Sequence, residues 1–313
     1  MKHIAAFTLL VSFVAGCQQE VVICRMTEHP KPPALYLRQD PALSTAALYA
    51  PRHYSAPACA SAIAFDGKLD EGAWSAAAWS EPFVDIEGPA RATPRQQTRV
   101  KMTWDQANLY IGAELAETDL WATLKTHDEI VFQDNDFEVF IDPDGDTREY
   151  YEIEVNALGT IFDLYLPETY RAGAKGNHGW TAKGMTFAIA LDGTLNDSSD
   201  VDRSWTIEMA LPWSMFAPIA PAAGTATFQK CARPPIIGDS WRINFSRVQW
   251  MLEKQGAGYA KVAGKPEDNW TWTPQWIIDM HVPQWWGVVT FASSPEQAKA
   301  NAKAQDLSKA RSK

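Results

Sequence analysis

The stretch FEVFIDPDGDTREYYEIEVN, residues 137–156, is the part of the chain that decides its fold. Two segments in which apolar residues recur at every second position flank a turn rich in Asp and Gly. Alternation on both sides of a short polar turn is typical of an antiparallel β-hairpin. The pattern places Val139, Ile141, Tyr151 and Ile153 on one face, which we expect to lie in the core.

The opposite face of this hairpin carries an unusual set of side chains. With residue 138 facing residue 152, that face holds Glu138, Phe140, Tyr150, Glu152 and Glu154. Directly opposed carboxylates destabilise a sheet unless a cation, a polar ligand or solvent separates them. The face is therefore either a solvated sheet surface or a ligand site, in which a carboxylate accepts hydrogen bonds from hydroxyl groups beside an aromatic ring.

The same alternation recurs along the chain from Ile63 onward. Thr98–Trp104 and residues 109–115 flank a second turn, and together they predict another hairpin. Further strands are predicted at residues 185–191, 205–211, 241–248 and 287–291. Many short antiparallel strands with few helical stretches predict an all-β antiparallel β-sandwich, immunoglobulin-like or jelly-roll-like, with short helices in its loops.

The composition limits the classes of protein to which the chain can belong. Hydrophobic residues make up 46% and charged residues 21%, as in a folded globular protein. A formal net charge of -10 argues against nucleic acid as the main partner. The 4 Cys are too few for a disulfide scaffold, and the 6 His show no spacing typical of a zinc site.

Residues 1–16 have the pattern of a secretory signal peptide. A basic start precedes an apolar run over residues 4–14, which is too short to cross a bilayer. Residues 14–17, VAGC, are similar to a bacterial lipobox and predict a lipid on Cys17; the alternative is an ordinary signal peptide with a coincidental Cys. By resemblance to such lipoproteins, Gln18 after that Cys favours the outer membrane of the cell envelope.

Composition divides the rest of the chain into three parts. Residues 17–60 are rich in Pro and Ala and predict a tether, residues 61–293 the sandwich, and residues 294–313 a basic tail that is helical or disordered. Cysteines that remain after cleavage are Cys24, Cys59 and Cys231. An oxidising compartment permits one disulfide and one free thiol among them, and the sequence leaves the pairing open.

Short motifs recur in a fixed order along the predicted sandwich. They are IAFDGKLDEGAW (63–74), WDQANLYI (104–111), FEVFID (137–142), YYEIEVN (150–156), WTIEMALPW (205–213), WRINFSR (241–247) and PQWWG (283–287). In this order they resemble the family 9 carbohydrate-binding modules and their relatives, over about residues 60–292. The resemblance implies a β-sandwich that binds sugars and often carries structural calcium, and it does not imply catalysis.

The resemblance also implies where a sugar would bind. In sugar-binding members of the family, two aromatic side chains sandwich the terminal sugar, while charged and amide side chains bond its hydroxyls. The first aromatic falls at Phe132, and a family carboxylate matches Glu138. The second aromatic falls near Met280 and a family Arg falls at Glu154, so this chain departs from the family at both positions.

Other residues are predicted to complete the sugar site. The segment 270–286 is rich in Trp and offers Trp272 and Trp276 as platforms, unless these rings pack at the edge of the sandwich. Arg247 is a hydrogen-bond donor in a strand of the same sandwich. We include Arg247 and His281 among the predicted sugar contacts.

Two runs of acidic residues concentrate the oxygen ligands that calcium prefers. The first run contains Asp134 and Asp136, and the second contains Asp142, Asp144 and Asp146. Both are predicted ligands of a structural calcium ion. For the second run, the alternative of a plain Asp- and Gly-rich turn that binds no ion is favoured.

The leading hypothesis is a non-catalytic surface lipoprotein that binds oligo- or polysaccharide and assists its capture or degradation by partner glycoside hydrolases. The membrane contact would be the lipid anchor alone. The first alternative is a glycoside hydrolase that draws two carboxylates from Glu138, Glu152, Glu154 and Glu208. The second is a haem-binding electron-transfer module, in which Met280 and His281 supply iron ligands.

Overall fold

The computed structural model describes residues 51–216 and 234–311. The predicted signal peptide, Cys17, Cys24, Cys231 and most of the predicted tether lie outside these ranges. The helices of the described part are α1 (Gly72–Ala76) and α2 (Pro295–Arg311), with short 3-10 helices at Val131–Gln133, Tyr170–Ala172, Trp213–Phe216 and Pro283–Trp285. The strands are β1 (His53–Pro57), β2 (Val84–Asp85), β3 (Thr98–Trp104), β4 (Asn108–Ala116), β5 (Asp136–Asp142), β6 (Tyr150–Asn156), β7 (Ile161–Leu166), β8 (Thr186–Asp192), β9 (Ser204–Pro212), β10 (Ser240–Gln249), β11 (Leu252–Gln255), β12 (Gly258–Lys261), β13 (Asp268–Thr271) and β14 (Gly287–Ala292).

These strands form two sheets that pack face to face. The larger sheet has the order β1-β14-β10-β5-β6-β7, and β13 joins it by pairing with β10 and with β2. The smaller sheet has the order β3-β4-β9-β8, and β11 with β12 forms a separate hairpin. Among the described strands, every pairing is antiparallel except the parallel pair β1–β14. The predicted β-sandwich is confirmed.

The hairpin of β5 and β6 has the predicted faces in a shifted register. Glu138 pairs with Glu154, rather than with residue 152, and Phe140 pairs with Glu152. A shift of two residues leaves every side chain on its predicted face, because side chains alternate with a period of two. Val139 and Ile153 accordingly lie in the core.

The core consists of aromatic and branched aliphatic side chains from the inner faces of both sheets. Phe137 of β5 stacks on Phe245 of β10, with their ring centroids 5.8 Å apart. Trp241 meets Trp213 edge to face at 5.5 Å. Each such side chain contributes about 1.5–3 kcal/mol by leaving water, so this layer holds the two sheets together.

The folded part extends beyond the predicted limits of residues 61–293 at both ends. β1 lies within the predicted tether, where it pairs with β14 from His53 to Pro57, and this corrects the tether boundary. Helix α2 occupies the predicted basic tail and rests on β1, with Ala298 buried and the Asn301 amide donating to the Ser55 hydroxyl. No helix within the described ranges is long and apolar enough to span a membrane.

The outer face of the larger sheet is also apolar in part, unlike the solvated face of an ordinary sandwich. A second buried cluster lies there, and it includes Phe140, Tyr150, Phe162, Leu164 and Trp286. Side chains at alternate positions of β5, β6 and β7 supply most of it, because they point away from the core. The 3-10 helix Val131–Gln133 and the segment before β14 cover this cluster incompletely, and a groove remains between them.

Candidate functional site

The groove has a volume of about 410 Å³ and lies over β5, β6 and β7. Strand residues form its floor, and loop residues form its walls. The side chains that line it include Ile130, Phe132, Glu138, Glu152, Glu154, Tyr170, His178, Ile278, Asp279 and His281. This combination of carboxylates, aromatic rings and aliphatic side chains is typical of a small-molecule binding site.

The floor of the groove carries carboxylates from neighbouring strands. Glu138 of β5 lies directly opposite Glu154 of β6, and Glu152 lies on the same face of β6. The side chain of Asp136 points to the same face of β5 as that of Glu138, because the two residues are two positions apart. All four side chains are buried, with exposures of 5% or less.

Burial determines the protonation of this floor. It raises the pKa of Glu138 to about 7, because the charged form loses its hydration. The pKa values of Asp136, Glu152 and Glu154 are raised further above the usual range, first by burial and then by the negative charge of Glu138. Four neighbouring carboxylates cannot all remain ionised unless a positive group joins them.

Backbone N–H groups donate hydrogen bonds to two of these carboxylates. Glu154 Oε2 accepts a hydrogen bond from the Phe132 N–H at 3.0 Å, which ties the groove wall to β6. Asp136 Oδ1 accepts from the Val248 N–H at 3.0 Å. The second oxygen of Asp136, Oδ2, and Oε2 of Glu152 are buried and have no hydrogen-bond partner among the described residues.

The rim of the groove exposes large apolar side chains. Phe132 is 36% exposed and Tyr170 is 42% exposed, and Ile130 and Ile278 beside them are exposed as well. Exposed apolar side chains that cluster in this way mark interaction sites on soluble proteins. The groove therefore combines apolar walls with a polar, acidic floor.

His281 connects the walls to the floor. Its Nδ1 lies 3.0 Å from the Tyr150 hydroxyl, and its Nε2 lies 3.9 Å from Glu152 Oε2. Its ring also meets the Tyr170 ring edge to face, with centroids 4.5 Å apart. Burial lowers the pKa of His281 to about 4, so the ring is neutral at neutral pH and does not balance the acidic floor.

Three of the six predicted sugar contacts, Phe132, Glu138 and His281, line the groove. Arg247 does not, because its neighbour Ser246 pairs with Glu138 and Arg247 therefore points between the sheets. Its five N–H groups donate to Gln249, Thr98, Ala116, Gln96 and Glu117. With an exposure of 1% and an ion pair of 2.9 Å to Glu117, Arg247 is a structural residue, which corrects its predicted role.

The two predicted Trp platforms also lie outside the groove. Trp272 is fully buried in the core and packs over Gly287, where the ring leaves no room for a Cβ atom. Trp276 lies beside Trp285 at 6.3 Å and lines a separate hollow of about 150 Å³. Both predictions are corrected, since these rings pack at the edge and in the interior of the sandwich.

Glu208, predicted as one of the candidate hydrolytic carboxylates, lies on the smaller sheet. Its carboxylate accepts hydrogen bonds from Trp74 Nε1 at 2.6 Å, from the Gly67 N–H at 2.8 Å and from the Asp66 N–H at 3.1 Å. These bonds fasten the segment that leads into α1. The structure therefore leaves Glu138, Glu152 and Glu154 as the carboxylates that share a surface.

The predicted metal ligands divide into three groups. Asp134 accepts hydrogen bonds from Thr123 N, Thr123 Oγ1, Leu124 N and Asn156 Nδ2 at 2.7–2.9 Å. These four bonds fasten Asp134 to its neighbours, and its role as an ion ligand stays a prediction. Asp136 instead groups with Glu138 and Glu154, with carboxylate oxygens within 4.8 Å of one another.

The third group is the turn between β5 and β6. Carboxylate oxygens of Asp142, Asp144 and Asp146 lie within 4.8 Å of one another. Asp142 is fully buried and accepts from the Gly145 and Thr147 N–H groups, both at 2.8 Å. Burial and the charge of Asp146 raise the pKa of Asp144 to about 6, which shows that the turn concentrates negative charge.

Sequence reasoning missed several residues of the groove walls. Tyr170 belongs to a 3-10 helix that Thr169 caps by accepting a hydrogen bond from the Ala172 N–H. The ion pair of Arg171 with Asp279, 2.6 Å long, joins that helix to the opposite wall. Loops of this kind have no periodic sequence pattern. The only signal in the sequence is the opposite charge of Arg171 and Asp279, which are far apart along the chain.

Comparison with protein families adds an independent finding. The model described as carbohydrate family 9 binding domain-like matches residues 65–231, more than half of the chain. The chain belongs to this family. Membership in the carbohydrate family 9 binding domain-like family confirms the resemblance found in the sequence and indicates carbohydrate binding. No curated protein matches the chain in a sequence search.

A solved structure shares the fold of this family member. A candidate carbohydrate-binding protein from Bacteroides uniformis aligns with a TM-score of 0.52 and 15% identity, over 77% of this chain and 100% of its own. A family 9 carbohydrate-binding module from Caldicellulosiruptor kristjanssonii aligns with a TM-score of 0.48 and 13% identity. Its complexes with cellotriose and with glucose each cover 77% of this chain, and 94% and 96% of their own.

Proposed function

We propose that the chain binds an oligo- or polysaccharide in the groove without cleaving it. The observation that carries this proposal is the apolar rim of the groove, with Phe132 and Tyr170, placed directly above the carboxylates of Glu138 and Glu154. A sugar presents a weakly apolar ring face and many hydroxyls. Aromatic rings cover the first, and carboxylates accept hydrogen bonds from the second.

A glycan array tests this proposal on the purified full chain carrying Cys17→Ser, which removes the predicted lipid. We expect binding to a defined group of glycans and no release of reducing ends from them. The absence of binding to any glycan on the array would contradict the proposal. An absorbance spectrum of the same sample tests the haem alternative, which requires a Soret band.

The hydrolase alternative has one observation in its favour. Oxygens of Glu138 and Glu154 lie within 4.8 Å, and burial raises both pKa values, as general acid catalysis requires. Retaining glycosidases, however, place two carboxylates about 5–5.5 Å apart on opposite sides of the scissile bond. Here they share one flat sheet face, so we favour binding over cleavage; released reducing ends would reverse this choice.

We further propose that the chain is a lipoprotein of the outer membrane that captures polysaccharide for partner glycoside hydrolases. The support is the lipobox-like sequence before Cys17 and the Pro- and Ala-rich segment between it and β1. Such a segment would hold the groove away from the membrane surface and within reach of extended polymers.

The lipid anchor gives a direct prediction for Cys17→Ser. Without a thiol at this position no lipid can be attached, and the protein should move from the membrane fraction to the soluble fraction of the cell envelope. Immunoblots of separated fractions measure this change. Retention of Cys17→Ser in the membrane fraction, at the level of the parent, would contradict lipidation.

We also propose a structural calcium ion at the turn of Asp142, Asp144 and Asp146. Calcium binds carboxylate and carbonyl oxygens at about 2.3–2.6 Å, and the spacing of these carboxylates suits one ion. An ion there would relieve the repulsion that burial strengthens. The turn joins the two strands that carry the groove floor, so its stability bears on the site.

The turn calcium predicts a change in thermal stability. At a calcium concentration of about 100 Kd, binding stabilises the folded state by about 2.7 kcal/mol, or about 5–10 °C in Tm for a domain of this size. Differential scanning calorimetry with calcium and with EDTA measures the shift. Asp144→Asn should reduce it, and a parent Tm that is identical in both buffers would contradict the proposal.

A further inference from the structure

The floor of the groove brings together three carboxylates that are distant from the turn. Asp136 and Glu138 extend from β5, and Glu154 extends from the facing position of β6. One oxygen of each lies within 4.8 Å of the others, and all three residues are buried. An ion with bonds of about 2.3–2.6 Å holds its ligand oxygens up to about 5 Å apart, so the three could contact one ion.

Two buried oxygens of this floor have no hydrogen-bond partner within the described ranges. Oδ2 of the fully buried Asp136 accepts no hydrogen bond among the described residues, and neither does Oε2 of Glu152 next to Glu154. An unsatisfied buried oxygen costs about 1–3 kcal/mol, and more when it is charged. Native structures rarely leave two such atoms in one place without a ligand, an ion or water.

Arg247 interacts electrostatically with Asp136 from the other side of the sheet, but it does not line the groove. No Lys or Arg of the described ranges lines the groove. Arg247 lies on the other face of β10, with all of its donors engaged, and Arg171 pairs with Asp279 at the rim. A cation that enters from the groove would balance more of the negative charge and give the unpaired oxygen of Asp136 a partner.

We propose that Asp136, Glu138 and Glu154 bind one divalent cation at the floor of the groove, and that calcium fits them best. The ligands are all oxygens, which calcium prefers, whereas zinc prefers nitrogen and sulfur. Three carboxylates leave several of the 6–8 calcium positions open toward the groove. If the proposed function holds, two neighbouring sugar hydroxyls would fill such positions, which makes carbohydrate binding dependent on calcium.

The competing explanation is that the carboxylates of the floor share protons among themselves and so avoid a large negative charge. In that account the carboxylates keep their protons at neutral pH and need no ion. The two accounts differ in whether calcium acts on the parent more than on Glu154→Gln, which removes one negative charge and keeps an acceptor for the Phe132 N–H. Without calcium this variant should be as stable as the parent or more stable, because it relieves like-charge repulsion.

Calorimetric titration of calcium chloride into EDTA-stripped full chain tests the inference. Relative to the parent, we expect Glu154→Gln to bind one calcium ion fewer, or to bind that ion at least about tenfold more weakly. Glu114→Gln on β4 of the smaller sheet, where Glu114 pairs with Arg99, is the matched control and should bind calcium like the parent. Calcium should also raise the Tm of Glu154→Gln less than that of Glu114→Gln. Equal stoichiometry and affinity in Glu154→Gln and the parent would overturn the ion site.

A second arm separates this inference from the proposed function. The glycan array is repeated with calcium and with EDTA, using the parent and Asp144→Asn, in which the turn site is weakened. Binding that EDTA abolishes in both proteins supports a calcium ion in the groove. Binding that is unchanged by EDTA overturns the inference and leaves carbohydrate binding intact. Calcium bound at the floor with no glycan bound supports the ion and overturns the proposed function.

Discussion

Replacing Arg247 with Met should lower the free energy of unfolding by about 3–5 kcal/mol, the cost of breaking a buried ion pair from one side. Glu117 is buried and accepts a hydrogen bond from Arg247, so the substitution leaves a buried carboxylate without its cation. The same substitution removes donors from Thr98, Gln96 and the Ala116 carbonyl. Urea unfolding measures the change.

The control for this prediction is Arg203→Met. Arg203 pairs with Asp192 on the exposed surface, where water and salt screen the two charges and the ion pair adds little to stability. Because Arg247 does not reach the groove, Arg247→Met should bind glycans like the parent at temperatures where this variant remains folded. A loss of stability as small as that of Arg203→Met would contradict the structural role of Arg247.

The second large effect concerns Glu138 and carbohydrate binding. Glu138→Gln keeps the size of the side chain and removes its charge, so we expect no cavity and, in the absence of calcium, no loss of stability. A hydrogen bond to a charged acceptor contributes about 1.5–3 kcal/mol, and its loss should weaken glycan binding about tenfold or more. Scanning calorimetry in EDTA checks that the Tm is unchanged or higher, since the substitution reduces repulsion on the floor.

The sequence predicts the sandwich well because its strands carry a strong local signal. Thr98–Trp104 and Tyr150–Asn156 agree with the predicted limits, and alternation places their core residues correctly. β1 cannot be predicted in this way, because the composition of its five residues, which end in Pro57, resembles that of the segment before them. Only the parallel pairing with β14, which is remote in sequence, shows that His53–Pro57 is a strand.

The site is less predictable than the fold, because the residues of its walls come from loops. The hairpin pattern is enough to place Glu138, Glu152 and Glu154 on one face. Alternation also places Arg247 on the same face of β10 as Ile243 and Phe245, which lie in the core, so its position between the sheets follows from the strand pattern. Trp272 shows a second limit: a large ring in a Trp-rich segment is as suited to the core as to a sugar, and only packing against Gly287 decides.

The central claim is that carbohydrate binds in the groove over Glu138. Isothermal titration of the glycan with the strongest array signal into the parent, Glu138→Gln and Glu114→Gln tests it most directly. Glu114 lies on β4 of the smaller sheet, so Glu114→Gln controls for the loss of one carboxylate. The account predicts Kd values that agree for the parent and Glu114→Gln and that rise about tenfold or more for Glu138→Gln. Equal Kd values for all three proteins would contradict it and place the sugar elsewhere on the chain.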